Sequence, residues 1–149
     1  MSEPLIHPDI TKAHTLPSRF YTDEESFHYL MNEMKHCWYF GAHSSQFIEH
    51  DVIPLIHIEE MIGDAMILTN SDKIRCLSNV CTHRGMLVAA EPRNCNSLQC
   101  KYHGRTFGMD GCMKNMPEFQ DVEGFPSNSD NLPSFPVTCL LYTSPSPRD

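Results

Sequence analysis

Two short segments carry the residues most able to do chemistry. Cys81-Thr82-His83-Arg84-Gly85 and Cys100-Lys101-Tyr102-His103-Gly104 each offer one thiolate and one imidazole. Sixteen residues lie between His83 and Cys100, so the pattern is C-x-H-x16-C-x2-H. Thiolates and imidazoles bind zinc or the irons of iron-sulfur centres. The order of donors bears on the choice, because a Cys2His2 zinc finger takes both thiols from one end and both imidazoles from the other. Here the types alternate, which suits two irons, one bound by both cysteines and the other by both histidines. Structural zinc is the competing reading of the same four residues. Gly85 and Gly104 follow the histidines and allow a positive φ and close approach to inorganic sulfides, where a side chain would collide.

The elements that must position these segments are mostly strands. Residues 1–20, with Pro4, Pro8 and Pro17, read as an extended arm. Thr22 and Glu25 form a capping-box pair at the start of a helix expected over about 22–36, whose stripe Phe27, Leu30, Met31, Met34 and Trp38 is expected to pack into a core. Beyond it, short apolar runs broken by Gly, Pro, Asn and Asp predict strands at 38–42, 55–58, 65–69, 74–78, 97–100 and 106–109. Asn70-Ser71-Asp72 and Asp110-Gly111 predict tight turns. The tail from Ser127, rich in Ser, Pro and Asn, is assigned no regular structure.

The chain has 149 residues, enough for one globular domain with an appendage, and its net charge of −8 disfavours nucleic-acid binding. The first residues lack the apolar run of a signal peptide, and no segment reads as a membrane span, so the cytoplasm is the expected compartment. Seven cysteines cannot all pair, which favours metal binding over a disulfide framework. Cys37 and Cys76 read as buried apolar residues, and Cys95, Cys112 and Cys139 as incidental. His36, His43, His50 and His57 recur every seven residues, a coincidence interrupted by Gly41 and Pro54. Lys101 and Tyr102 could shape partner docking or simply lie at the surface, and Arg84 could pair with a carboxylate or face water.

C-T-H-R-G followed by C-K-Y-H-G resembles the Rieske iron-sulfur family. The resemblance implies a mainly β fold, a Rieske-type antiparallel β sandwich with the cluster-binding loops at one tip. It implies a [2Fe-2S] cluster with Cys81 and Cys100 on the inner iron and His83 and His103 on the outer one. Two ferric ions, two sulfides and two thiolates carry no net charge with neutral imidazoles, whereas four thiolates would leave two negative charges. Rieske centres therefore lie at about −150 to +300 mV and four-cysteine plant-type centres near about −400 mV. High-potential members carry an extra cysteine in each loop, where this chain has Met86 and Tyr102, and hydroxyls where it has Arg105 and Phe107. A low-potential centre is expected.

The helix followed by Cys37-Trp38-Tyr39-Phe40-Gly41, with Gly104-Arg105-Thr106-Phe107 and Met116-Pro117-Glu118-Phe119, resembles the N-terminal part of ring-hydroxylating oxygenase α subunits. This implies electron supply from a reductase or ferredoxin and delivery to a mononuclear non-haem iron in a catalytic domain. No histidine follows His103, so that iron is expected only in a domain missing from this chain, which is read as a fragment that transfers electrons without hydroxylating. The alternative is a stand-alone Rieske ferredoxin. The expected organisation is an arm and helix over 1–44, a Rieske domain over 45–137 and an irregular tail over 138–149, open to being non-native. The parent is expected to form homo-oligomers.

Overall fold

The computed structural model describes residues 6–119 and 121–140. The first arm residues and the end of the tail, including its Ser-Pro stretch, lie outside the described residues. The chain divides into two compact units, Met1–Trp38 and Tyr39–Asp149.

In the first unit, two helices replace the single one expected, α1 (Arg19–Thr22) and α2 (Glu24–Met34). The cap is Asp23 rather than Thr22. Its backbone is extended, and its carboxylate accepts the Ser26 N–H at 2.8 Å. The Thr22 hydroxyl instead donates to the Ser18 carbonyl at 3.3 Å. Aspartate is the better cap because its charge also meets the positive end of the helix dipole. The α2 stripe departs from the packing expected of it: no residue of the helix is buried, and Phe27 and Leu30 are exposed. Cys37, expected in a core, is exposed just past the helix.

The second unit is built from antiparallel strands. β1 (Val52–Pro54), β2 (Met66–Asn70), β3 (Ile74–Ser78) and β7 (Ser134–Phe135) form one sheet in the order β1-β2-β3-β7; β4 (Leu98–Gln99), β5 (Thr106–Phe107) and β6 (Met113–Asn115) form another. The turns expected after Asn70 and at Asp110-Gly111 are both present, joining β2 to β3 and β5 to β6. Ile67 and Leu77 from the first sheet share a core with Leu98, Phe107 and Met113 from the second. The fold is mainly β, as the sequence implied.

Two expected strands are absent. Residues 38–42 are irregular, with Trp38 70% exposed. Where a strand was expected at 55–58, the chain forms α3 (Ile56–Ile62), which buries Ile58 and Ile62 one helical turn apart and ends at Gly63 with φ 78°. A four-residue run such as Leu55-Ile56-His57-Ile58 cannot separate a period of 2 from one of 3.6.

The stretch from Ser127 is also more ordered than its composition suggested. Asn128–Asp130 form a 3-10 turn capped by Ser127. Leu132 is buried, its N–H donating to the Gly111 carbonyl at 2.9 Å, and the Asn131 side chain accepts the Met113 N–H at 2.7 Å. β7 then pairs with β3 through Cys76–Phe135 and Leu77–Ser134. This strap bonds to both sheets. Among the described residues, no helix is long and apolar enough to cross a membrane.

Candidate metal centre

Both cysteine-histidine segments fold into the same small loop. In the first, the Cys81 N–H donates to the Met86 carbonyl at 2.9 Å and the Gly85 N–H to the Cys81 carbonyl at 3.0 Å. In the second, the Cys100 N–H donates to the Arg105 carbonyl at 2.8 Å and the Gly104 N–H to the Cys100 carbonyl at 3.1 Å. The glycine therefore takes the fifth place of each loop, with φ 72° at Gly85 and 75° at Gly104. The histidine is third in one loop and fourth in the other. Behind the first loop, the Asn79 side chain donates to the Ala89 carbonyl at 2.7 Å and accepts the Ala89 N–H at 2.8 Å, pinning the base of the excursion that carries Cys81 and His83. The second loop joins β4 to β5, which pair directly.

The loops bring the four donors together as two like pairs. Cys81 and Cys100 belong to the core and are each 2% exposed. His83 and His103 are partly exposed, with ring centroids 4.7 Å apart and planes at 69°. Burial pushes the Cys81 thiol up from the ordinary thiol range, against the His83 N–H that favours its thiolate; the neighbouring Cys100 thiol adds to the rise and Arg105 opposes it. Desolvation pushes His83 down, helped by His103, Arg105 and Arg84, which favours the neutral imidazole that a metal requires.

Among the described residues, no three His, Cys, Asp or Glu side chains converge as ligands of one ion. A buried thiol pair beneath a more exposed imidazole pair suits a two-iron centre with one ligand type per iron, and suits less well the single tetrahedral shell of zinc. The donor set thus fits a [2Fe-2S] cluster. Tyr102 is 57% exposed and lies against His103, ring centroids 3.8 Å apart; Met86, Lys101 and Arg84 are exposed as well. Cys76 is buried as expected, and Cys95 packs partly against the core.

Sequence reasoning missed two residues at this site. Arg105, noted for lacking a hydroxyl and as part of the Gly104–Phe107 resemblance but given no role, is buried, and Asp130, in a stretch assigned no structure, pairs with it at 3.2 Å. The available signal was an arginine two places after a ligand-type histidine, immediately before β5.

The two glycines should not tolerate alanine equally. A left-handed alanine costs about 1–2 kcal/mol at either position. At Gly104 the new Cβ would also stand 2.9 Å from Pro117 Cγ, whereas at Gly85 nothing lies within 4 Å. Urea unfolding of the two variants is expected to show Gly104→Ala as the more destabilised; equal losses, or a larger loss for Gly85→Ala, would contradict this account.

Residues 37–136 match the Rieske [2Fe-2S] domain. The chain is 34% identical over 126 residues to the carnitine monooxygenase oxygenase subunit of Escherichia coli (strain K12), covering 81% of this chain and 33% of that protein. It is 35% identical over 107 residues to the large oxygenase component of the naphthalene 1,2-dioxygenase system of Pseudomonas putida, covering 68% of this chain and 23% of the relative. The chain thus spans about a third or less of the curated relatives it matches. A quaternary ammonium Rieske monooxygenase solved with L-carnitine shares the fold, with a TM-score of 0.70 and 24% identity over 82% of this chain and 35% of that one.

Proposed function

Because the chain belongs to the Rieske [2Fe-2S] domain family, we propose that Cys81 and Cys100 hold one iron, His83 and His103 hold the other, and the chain relays single electrons. The observation that carries this is the sorting of donors by depth, thiols in the core and imidazoles toward solvent. Bound there, the cluster supplies a reversible one-electron centre. The core around Cys81 and Cys100 excludes water from the thiolate side. His83 and His103 face outward, where a redox partner can approach, and the exposed Tyr102 and Met86 offer it apolar contact.

The chain is homologous to the cluster domain of Rieske oxygenases. In our reading it is that domain of a larger oxygenase, with the arm and helix over 1–44, the cluster domain over 45–137 and a tail over 138–149. It takes electrons from a reductase or ferredoxin in the cytoplasm and passes them to a mononuclear iron held in a further domain of a homo-oligomeric parent. That iron would direct oxygen into an aromatic ring or a small organic amine or acid. Carnitine and naphthalene, named for the relatives above, represent these two substrate classes.

Anaerobic reconstitution of the full chain with iron and sulfide tests the proposal. The dithionite-reduced protein is expected to give a Rieske-type electron paramagnetic resonance (EPR) signal of low average g and a midpoint below about +100 mV, within the span of such centres. A colourless product, or zinc in place of iron and labile sulfide, would overturn it. The oxygenase reading further requires two histidines and a carboxylate encoded downstream in the parent reading frame; an extension lacking them would make the protein a Rieske ferredoxin instead.

A further inference from the structure

We infer that Arg105 is a positioning residue that clamps both loops to the 127–130 strap and holds a fixed positive charge at the centre, easing its one-electron reduction. This rests on the cluster reading above. Arg105 is 5% exposed. Its Nη1 donates to Thr82 Oγ1 at 2.8 Å, and its Nη2 donates to Asp130 Oδ1 at 3.2 Å. Thr82 Oγ1 donates in turn to the Asp130 carbonyl at 2.7 Å. Thr82 lies between Cys81 and His83, and the Arg105 carbonyl accepts the N–H of Cys100. One residue thereby joins the first loop and the strap through its side chain and the second loop through its backbone. Phe125 covers it, with the guanidinium carbon 5.5 Å from the ring centroid.

A buried cation is costly unless paired, and an apolar residue of similar size would often serve stability as well. Its charge therefore needs a use. Oxidised, the proposed cluster and its thiolates are neutral; reduced, they carry one negative charge, which a fixed cation stabilises. Arg105 bonds to Thr82, the residue between Cys81 and His83, so this charge sits beside the first loop. Asp130 partly offsets it from the other side, kept ionised mainly by the Ser127 N–H and hydroxyl. Arg105 Nε is buried without a protein acceptor among the described residues, so a donor stays uncommitted.

The charge account makes a prediction of sign. Removing the cation should make reduction harder, and removing the opposing carboxylate should make it easier. Redox titration of reconstituted full-length variants, followed by EPR, is expected to show Arg105→Gln reduced about tenfold less favourably, which is about 59 mV for one electron. Asp130→Asn should shift the other way. Arg105→Lys should stay within about threefold of the parent, because it keeps the charge, while releasing iron to a chelator faster because it lacks the planar fork. Shifts of the same sign in the Gln and Asn variants, or less than a twofold change in Arg105→Gln, overturn the inference. If Arg105→Gln retains no cluster, the other two variants decide, and failure of either overturns it. A parent chain that never forms the cluster would instead defeat the proposed function.

Discussion

Cys81→Ser, reconstituted under the same conditions as the parent, is expected to bind less than about a tenth of the roughly two irons per chain of a [2Fe-2S] protein and to give no low-g EPR signal. The reason is geometric. Cys81 sits at 2% exposure beside Cys100, at the first position of a loop closed by its own N–H and carbonyl. A serine hydroxyl there is a poor ligand for iron, and no further thiol lies in either loop. His83→Ala should lose the signal for the complementary reason, leaving His103 alone on its iron. Cys95→Ser serves as the control, since Cys95 packs partly against the core outside the loops, and should keep iron, sulfide and spectrum. An unchanged signal in Cys81→Ser or His83→Ala removes the ligand assignment.

The second large effect concerns the scaffold. Phe107→Ala is expected to cost about 3–5 kcal/mol, the range for truncating a fully buried phenylalanine. Phe107 is completely buried, opposite Leu98 on one side of β5 and Met113 on the other. It ends β5, the short strand that leaves the second loop. A domain of this size has about 5–15 kcal/mol in total, so the variant should unfold at much lower urea and lose iron faster at ambient temperature. Phe40→Ala, at a site 70% exposed, should change stability by less than about 0.5 kcal/mol. A loss below about 1 kcal/mol for Phe107→Ala would mean that the core does not rest on this side chain.

The grouping of Cys81, His83, Cys100 and His103 was legible because it is local: they lie within two short loops, which the fold brings together as a buried thiol pair and a more exposed imidazole pair. β2 and β3 were legible for a similar reason, since a hairpin carries its own turn. α3 was not, because the run from Leu55 fits either period until tertiary packing decides which face is buried. The cap shifted from Thr22 to Asp23 through competition between adjacent residues that differ by little. Arg105 and Asp130 were illegible for a deeper reason. They are 25 residues apart, and the sequence does not show that a polar stretch after Ser127 crosses back to a buried guanidinium. Long-range polar pairs leave no periodic trace.

The strap has a consequence for the birth of the protein. A ribosome delivers the N-terminal side first, so all four donors are synthesised before Asp130, Leu132 and β7. At that moment the nascent chain owns a full set of thiols and imidazoles but neither the counter-ion of Arg105 nor the strand that closes the edge of β3. Until those later residues are in place, the chain lacks the bonds from Asp130 to Arg105 and from Asn131 to Met113.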